Sequence, residues 1–361
     1  MISGCLALIA MLLAGCESPP PSPPPPDRAE LTSAVDRFLN QSLAPGIRNV
    51  RAILVAVDDE LMVERYYQSS PEEHAAVASV TKSVVSTLIG IAVTEGFLDL
   101  EQTLVDLLPS YADSMSPDVR AITLRQLLTM SAGLPGDEDP NWAPTGGDWV
   151  SNILGRGRSQ SPGDGFVYSS VSSHLLAAIL AETTGKPVLA YARAKLFGPL
   201  GIETRPAFQP ALIPGRPDPI RAYERAAFAW PRDPQGIHIG FGSLKLTAPD
   251  MLKLGTLFLH EGEWQGDQLV PAAWVREAVS PAVPTGGQGP GGHYGFQWWV
   301  TSAGEHRAFA AIGFGGQIIE VVPDLDLVVV ASTWIDEDLR FDASTWELMV
   351  THALVPEFEP D

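Results

Sequence analysis

The chain has 361 residues, 45% of them hydrophobic, with 33 glycines and 32 prolines, which fits a globular α/β protein and excludes a fibrous or wholly disordered one. Its 43 acidic residues against 23 basic ones give a formal charge of −20, which argues against binding nucleic acid and against adsorption to anionic lipid headgroups. Both cysteines, Cys5 and Cys16, precede residue 17, so the rest of the chain can hold neither an internal disulfide nor a Cys-based metal site.

Residues 1–14 are almost wholly apolar, too short to span a bilayer, and run into Leu13-Ala14-Gly15-Cys16. This resembles a bacterial lipoprotein signal peptide with its lipobox, although no Lys or Arg lies between Met1 and Leu6. The resemblance implies cleavage after residue 15, lipidation of Cys16 and attachment to a membrane of the bacterial cell envelope, facing the periplasm or the cell exterior. Pro19–Pro26 holds seven prolines and one serine, which predicts a stiff polyproline II tether at about 3 Å per residue within a linker of residues 16–30.

The folded domain is expected over residues 31–361. Leu31, Val35, Phe38 and Leu39 recur at helical spacing, and strands at Ala52–Val57 and Leu61–Tyr67 flank Asp58-Asp59-Glu60 as a hairpin turn. A long apolar helix then runs from Ser79 to a stop at Gly96. A short amphipathic piece at Leu104–Leu108 and a helix at Ile122–Met130 follow. From Ser131 to Trp149 the chain is rich in Gly, Pro, Asp and Trp, an irregular stretch of the length that is usually functional, with Trp142 and Trp149 as candidate cleft walls. Helices are predicted at Ser172–Thr184, Val188–Phe197, Leu246–Gly262 with Thr247 as N-cap, and Pro271–Val279. The period then changes: Tyr294–Val300, Arg307–Ile312, Gln317–Val322 and Leu325–Thr333 read as antiparallel strands, and Thr345–Leu354 as a helix closing on them. A helix and hairpin, a helical middle, then strands that complete one sheet make an α/β (α+β) domain.

Ser79-Val80-Thr81-Lys82 opens the apolar helix and carries the chemistry. Residues three apart on a helix are neighbours, and a lysine kept neutral by burial and by the positive end of a helix dipole can take a serine's proton. Of five lysines, Lys82 alone has a serine three positions before it.

Val77-Ala78-Ser79-Val80-Thr81-Lys82, Ile122 to Leu134, Phe166-Val167-Tyr168-Ser169-Ser170, Gly240 to Thr247, Trp264-Gln265-Gly266 and Gly313 to Gln317, in that order, resemble the class C β-lactamase-related serine hydrolases. They resemble most the esterase and amidase branch, which includes 6-aminohexanoate-dimer hydrolase. The resemblance implies the penicillin-recognising serine hydrolase fold, an antiparallel sheet flanked by helices with a mostly helical second subdomain. It also implies Ser79 as the acylated nucleophile, Lys82 as its amine partner and Tyr168, 89 residues on, as a phenol that shuttles a proton. Which of Lys82 and Tyr168 takes the first proton stays open, since the two form one coupled system. The oxyanion hole would combine the Ser79 N–H with one on the strand Ala308–Ile312, with Ile312 in the best register and Ala311 next to it.

Two departures from the family pattern bear on substrate. Family members that bind penicillins carry Lys-Thr-Gly on that strand, whereas Ala308–Ile312 offers no cation, and the family's Tyr-x-Asn is here Tyr168-Ser169-Ser170. Both favour small neutral esters or amides over β-lactams, with Ser170, Trp149, Trp298 and Phe166 as substrate-facing candidates. No cofactor or metal is assigned, no oligomeric state follows, and the remaining partners are the membrane and a small-molecule substrate. The rival readings are a cell-wall D,D-peptidase or β-lactamase, and a non-catalytic envelope binding protein that keeps the fold.

Overall fold

The computed structural model describes residues 26–41, 47–141, 143, 147–212, 220–335 and 343–359. Cys16, Trp142 and the tether up to Pro25 lie outside them. Among the described residues no helix is long and apolar enough to cross a membrane.

One antiparallel sheet organises the chain. Its strands are β1 (Val50–Val57), β2 (Glu60–Tyr66), β3 (Val283–Pro284), β4 (His293–Tyr294), β5 (Trp299–Ala303), β6 (His306–Gly313), β7 (Gln317–Val322) and β8 (Leu327–Thr333). They lie in the order β2-β1-β8-β7-β6-β5-β4-β3. Side chains alternate between faces along a strand. On β1, β7 and β8, Leu54, Ile319, Val321, Val328 and Val330 enter one core, while Ile53, Val55, Ile318, Val322, Val329 and Ala331 enter another on the opposite face. Because helices cover both faces, these strands read as continuous β-branched runs.

The helices are α1 (Arg28–Gln41), α2 (Val80–Thr94), α3 (Leu104–Leu107), α4 (Leu124–Leu128), α5 (Trp149–Gly155), α6 (Ser170–Thr184), α7 (Val188–Ala192), α8 (Ile220–Arg225), α9 (Ala248–Leu259), α10 (Ala272–Ala278) and α11 (Ala343–Met349). On the second face, α1 and α11 pack their apolar stripes against the sheet. On the first lie α9 and α10, together with the helical subdomain built around α2 and α6. Thr247 caps α9 as its spacing predicts, its side chain accepting from Asp250 N.

Two expectations change. Tyr294–Val300 is not one strand: the Gly295 N–H donates to Trp298 O at 2.8 Å, closing a tight turn in which Gln297 takes φ 62° and which pairs Tyr294 with Trp299. Trp149 does not end a loop but begins α5, whose N-cap Asp148 accepts from Ser151 N.

Candidate active site

Helix α2 is buried from Val80 to Ala92, so it forms the axis of the domain. Its entry is tight. Ala78 sits at φ 45°, in the left-handed region that L residues rarely adopt, and Val80, Thr81 and Lys82 each bond back three residues, to Val77, Ala78 and Ser79. Ser79 stands at the N-cap position without using its side chain as a cap, which leaves Oγ turned into the cleft.

Lys82 is 2% exposed. Its Nζ lies 3.0 Å from Ser79 Oγ, 3.1 Å from Ser170 Oγ and 3.1 Å from the Phe241 carbonyl oxygen. Burial brings the amine down to about 8, the Asp137 carboxylate pulling the other way. The Tyr168 ring centroid is 4.9 Å from Nζ, and Tyr168 lines the same lobe of the cleft as Ser79. Burial raises the phenol, so it holds its proton at neutral pH. Ser79, Lys82 and Tyr168, spread over 89 residues of sequence, therefore meet at one point.

The far wall is the end of β6. Gly313 O accepts from Gly316 N at 3.1 Å, so the polar groups of Gly313 face β7. Backbone groups alternate in an antiparallel strand, so those of Ile312 face the other edge, where β5 ends at Trp299 opposite Ala310. The Ile312 N–H thus points to the rim that it shares with Ser79, whereas that of Ala311 is turned into the sheet. A Cβ on Gly313 would lie 2.4 Å from Val77 O, so only glycine lets β6 approach the start of α2 this closely.

Three substrate-facing candidates stand elsewhere than expected. Trp298 is 1% exposed and packs on Phe258 and Phe309 inside the core, because the turn at Gly295–Trp298 shifts the alternation by one residue. Trp299 takes the wall instead, stacked on Tyr168 with centroids 5.5 Å apart and planes at 18°. Trp149 packs edge-on against His174 and is not among the residues lining the lobes beside Ser79 and Asp137. Ser170 is 3% exposed and lies behind the cleft, between Lys82 and Asp137. Phe166 backs the wall, against Tyr294 and Trp299. His174 is structural: its Nε2 and Asp233 Oδ2 are 3.1 Å apart, with both side chains at 0% exposure.

The residue that the sequence reading passed over is Asp137. It lies in the irregular stretch already singled out as functional, and it lines both lobes of the cleft together with Tyr168 and Trp299. One lobe holds Ser79 and the Gly313–Gly316 turn, and the other is bounded by Gly136, Glu138, Asp139, Gln288 and Gly289. Among the described residues that line them there is no Lys or Arg.

A family model described as Beta-lactamase matches residues 35–353. A 6-aminohexanoate-dimer hydrolase of Paenarthrobacter ureafaciens is 26% identical over 319 residues, 80% of this chain and 74% of that protein. Among solved structures, EstCE1, a hydrolase with promiscuous acyltransferase activity, superposes with a TM-score of 0.70 at 19% identity, over 91% of this chain and 99% of that one. A penicillin-binding protein homologue from Caulobacter crescentus does so with a TM-score of 0.68 at 20% identity, over 91% and 98%.

Proposed function

We propose that this chain, which belongs to the Beta-lactamase family of serine hydrolases, cleaves small neutral esters or amides through an acyl-enzyme on Ser79. The observation that carries the reading is the 3.0 Å approach of a buried Lys82 amine to Ser79 Oγ. A lysine brought down to about 8 by burial is partly neutral near pH 7, whereas a phenol raised by burial is not ionised there, so Lys82 takes the first proton. The bond from Oγ to the substrate carbonyl carbon then forms, with the Ser79 and Ile312 N–H groups facing the oxygen that gains charge. The C–O or C–N bond breaks as a proton passes through Tyr168 to the leaving group, and water reverses the sequence to free the acid and Ser79.

The cleft supports a neutral substrate. Asp137, Glu138 and Asp139 line its lobes and no Lys or Arg does among the described residues, which disfavours a carboxylate such as that of a penicillin. We also propose Cys16 as the site of a lipid anchor at the cell envelope, on the strength of Leu13-Ala14-Gly15-Cys16 and the proline-rich tether that follows. Fatty-acid labelling that disappears in Cys16→Ser would support the anchor, and labelling unchanged in that variant would refute it.

The catalytic reading is tested with p-nitrophenyl esters, a 6-aminohexanoate dimer and a chromogenic cephalosporin, each against wild type and Ser79→Ala. Turnover of short esters that vanishes in the variant is expected, with slow or absent cephalosporin opening. Fast cephalosporin opening would overturn the choice of substrate.

A further inference from the structure

We infer that Asp137, acting through Ser170, is a positioning residue that turns the lone pair of Lys82 toward Ser79, an inference that rests on the roles proposed for those two residues. A count of protons carries it. A neutral amine has two N–H bonds and one lone pair, and Lys82 Nζ has three partners within 3.1 Å. The Phe241 carbonyl can only accept. Ser170 has a single hydroxyl proton, and its Oγ lies 2.6 Å from Asp137 Oδ2. An ionised carboxylate only accepts, so that proton lies on the Asp137 side and Ser170 presents an oxygen lone pair to Lys82. Both N–H bonds of the amine are thereby committed, to Phe241 and Ser170. What remains for Ser79 Oγ–H is the amine lone pair, which is the arrangement a general base requires.

Asp137 is fixed for this task. Its Oδ1 accepts from the Ser170 backbone N–H at 2.6 Å, one of the donors left unpaired at the start of α6. Its own N–H donates to Tyr168 O at 3.0 Å, tying the loop to the segment that carries the phenol. A Cβ on the preceding Gly136 would come within 2.8 Å of Val167, so the loop lies flat along that segment. Among the described residues, the titratable groups facing Lys82 are Asp137 from this loop and Tyr168 from the approach to α6, with Tyr294 of β4 against Tyr168.

The consequence of Asp137→Asn follows from the same count. The Ser170 N–H holds the amide oxygen, so the amide NH2 must face Ser170 Oγ and donate to it. The Ser170 proton is then displaced toward Lys82, where it occupies the lone pair that Ser79 needs. Loss of the carboxylate charge also lowers the Lys82 amine further.

The test measures phosphonylation of Ser79 by a fluorophosphonate and hydrolysis of p-nitrophenyl acetate, over neutral and alkaline pH. Wild type, Asp137→Asn, Ser170→Ala and the double variant are compared. Asp137→Asn is expected to lower kcat about 10- to 100-fold with KM nearly unchanged, and to move the acidic limb of the profile to lower pH. The double variant should react no more slowly than Ser170→Ala, because the displaced proton is gone. Effects that multiply in the double variant, or a limb that stays in place in Asp137→Asn, would overturn the inference. Should Asp137→Asn not fold, Ser170→Ala alone decides: slowing of about 3- to 10-fold with the limb unmoved supports it, and full wild-type rates refute it. A wild type that neither reacts with the fluorophosphonate nor hydrolyses the ester would count against the proposed function instead.

Discussion

The main-chain oxygen of Phe241 accepts a hydrogen bond from Lys82 Nζ at 3.1 Å, across 159 positions of sequence. A carbonyl aimed at a buried amine is satisfied whether that amine is neutral or charged, so it holds Nζ in place without choosing its protonation state. Burial makes the choice.

Activity should therefore rise with pH as Lys82 loses its proton. With the amine near 8, kcat/KM for a neutral ester is expected to climb about tenfold per pH unit on the acidic side and to level off above 8. The phenol of Tyr168 is raised by burial, so no falling limb is expected just above that plateau. A stopped-flow pH profile checks both features. A limb near the ordinary carboxylate range would point to a different base.

The same lysine costs stability. Its amine titrates near 8 when folded and at 10.5 when unfolded, so below 8 both states are charged and the folded one bears the full cost of burial. Between those values the unfolded state binds more protons and stability rises with pH, and above 10.5 the cost is gone. Lys82→Met, inactive in turnover, is expected to gain up to about 3 kcal/mol at neutral pH, less whatever its lost hydrogen bonds were worth, and to lose that gain on the alkaline side. Denaturant melts at two pH values measure it.

Adjacent tryptophans should separate cleanly. Trp298→Leu empties part of the core beside Phe258 and Phe309, and is expected to cost about 3 kcal/mol with KM unchanged. Trp299→Leu removes the ring stacked on Tyr168 and should raise KM for aromatic esters while costing less stability. Chemical denaturation and steady-state kinetics on the two variants decide the matter.

Glu320 of β7 is buried against α11, its oxygens accepting from Thr301 Oγ1 and Trp346 Nε1. Burial lifts its carboxyl to about 7 from 4.5. Below 4.5 it is neutral in both states and costs nothing; between the two values the folded state holds more protons and stability falls as pH rises; above 7 the buried charge costs its full amount. Glu320→Gln should thus be about 3 kcal/mol more stable at mildly alkaline pH and no more stable in acid, as read by melting curves.

Much of this molecule is legible locally. The hairpin at Asp58–Glu60, the apolar girth of α2 and the Thr247 cap each depend on neighbours a few positions away, and each stands where periodicity puts it. Misreadings arise where one backbone turn resets a pattern. Gln297 at φ 62° converts an expected strand into a turn and exchanges Trp298 for Trp299 at the cleft. Asp137 was invisible for another reason. Nothing near it in sequence marks it among Asp137, Glu138 and Asp139, and its importance arises only when the loop lies along Tyr168–Ser170 and brings its carboxylate to the start of α6.

The central claim is tested most directly by trapping the acyl-enzyme: mix the protein with a slowly released aromatic ester, quench in acid, and map the adduct by peptide mass spectrometry. The account predicts one acyl group on Ser79 and none in Ser79→Ala or Lys82→Met. An adduct on another residue, or ester turnover that persists in Ser79→Ala, would contradict it.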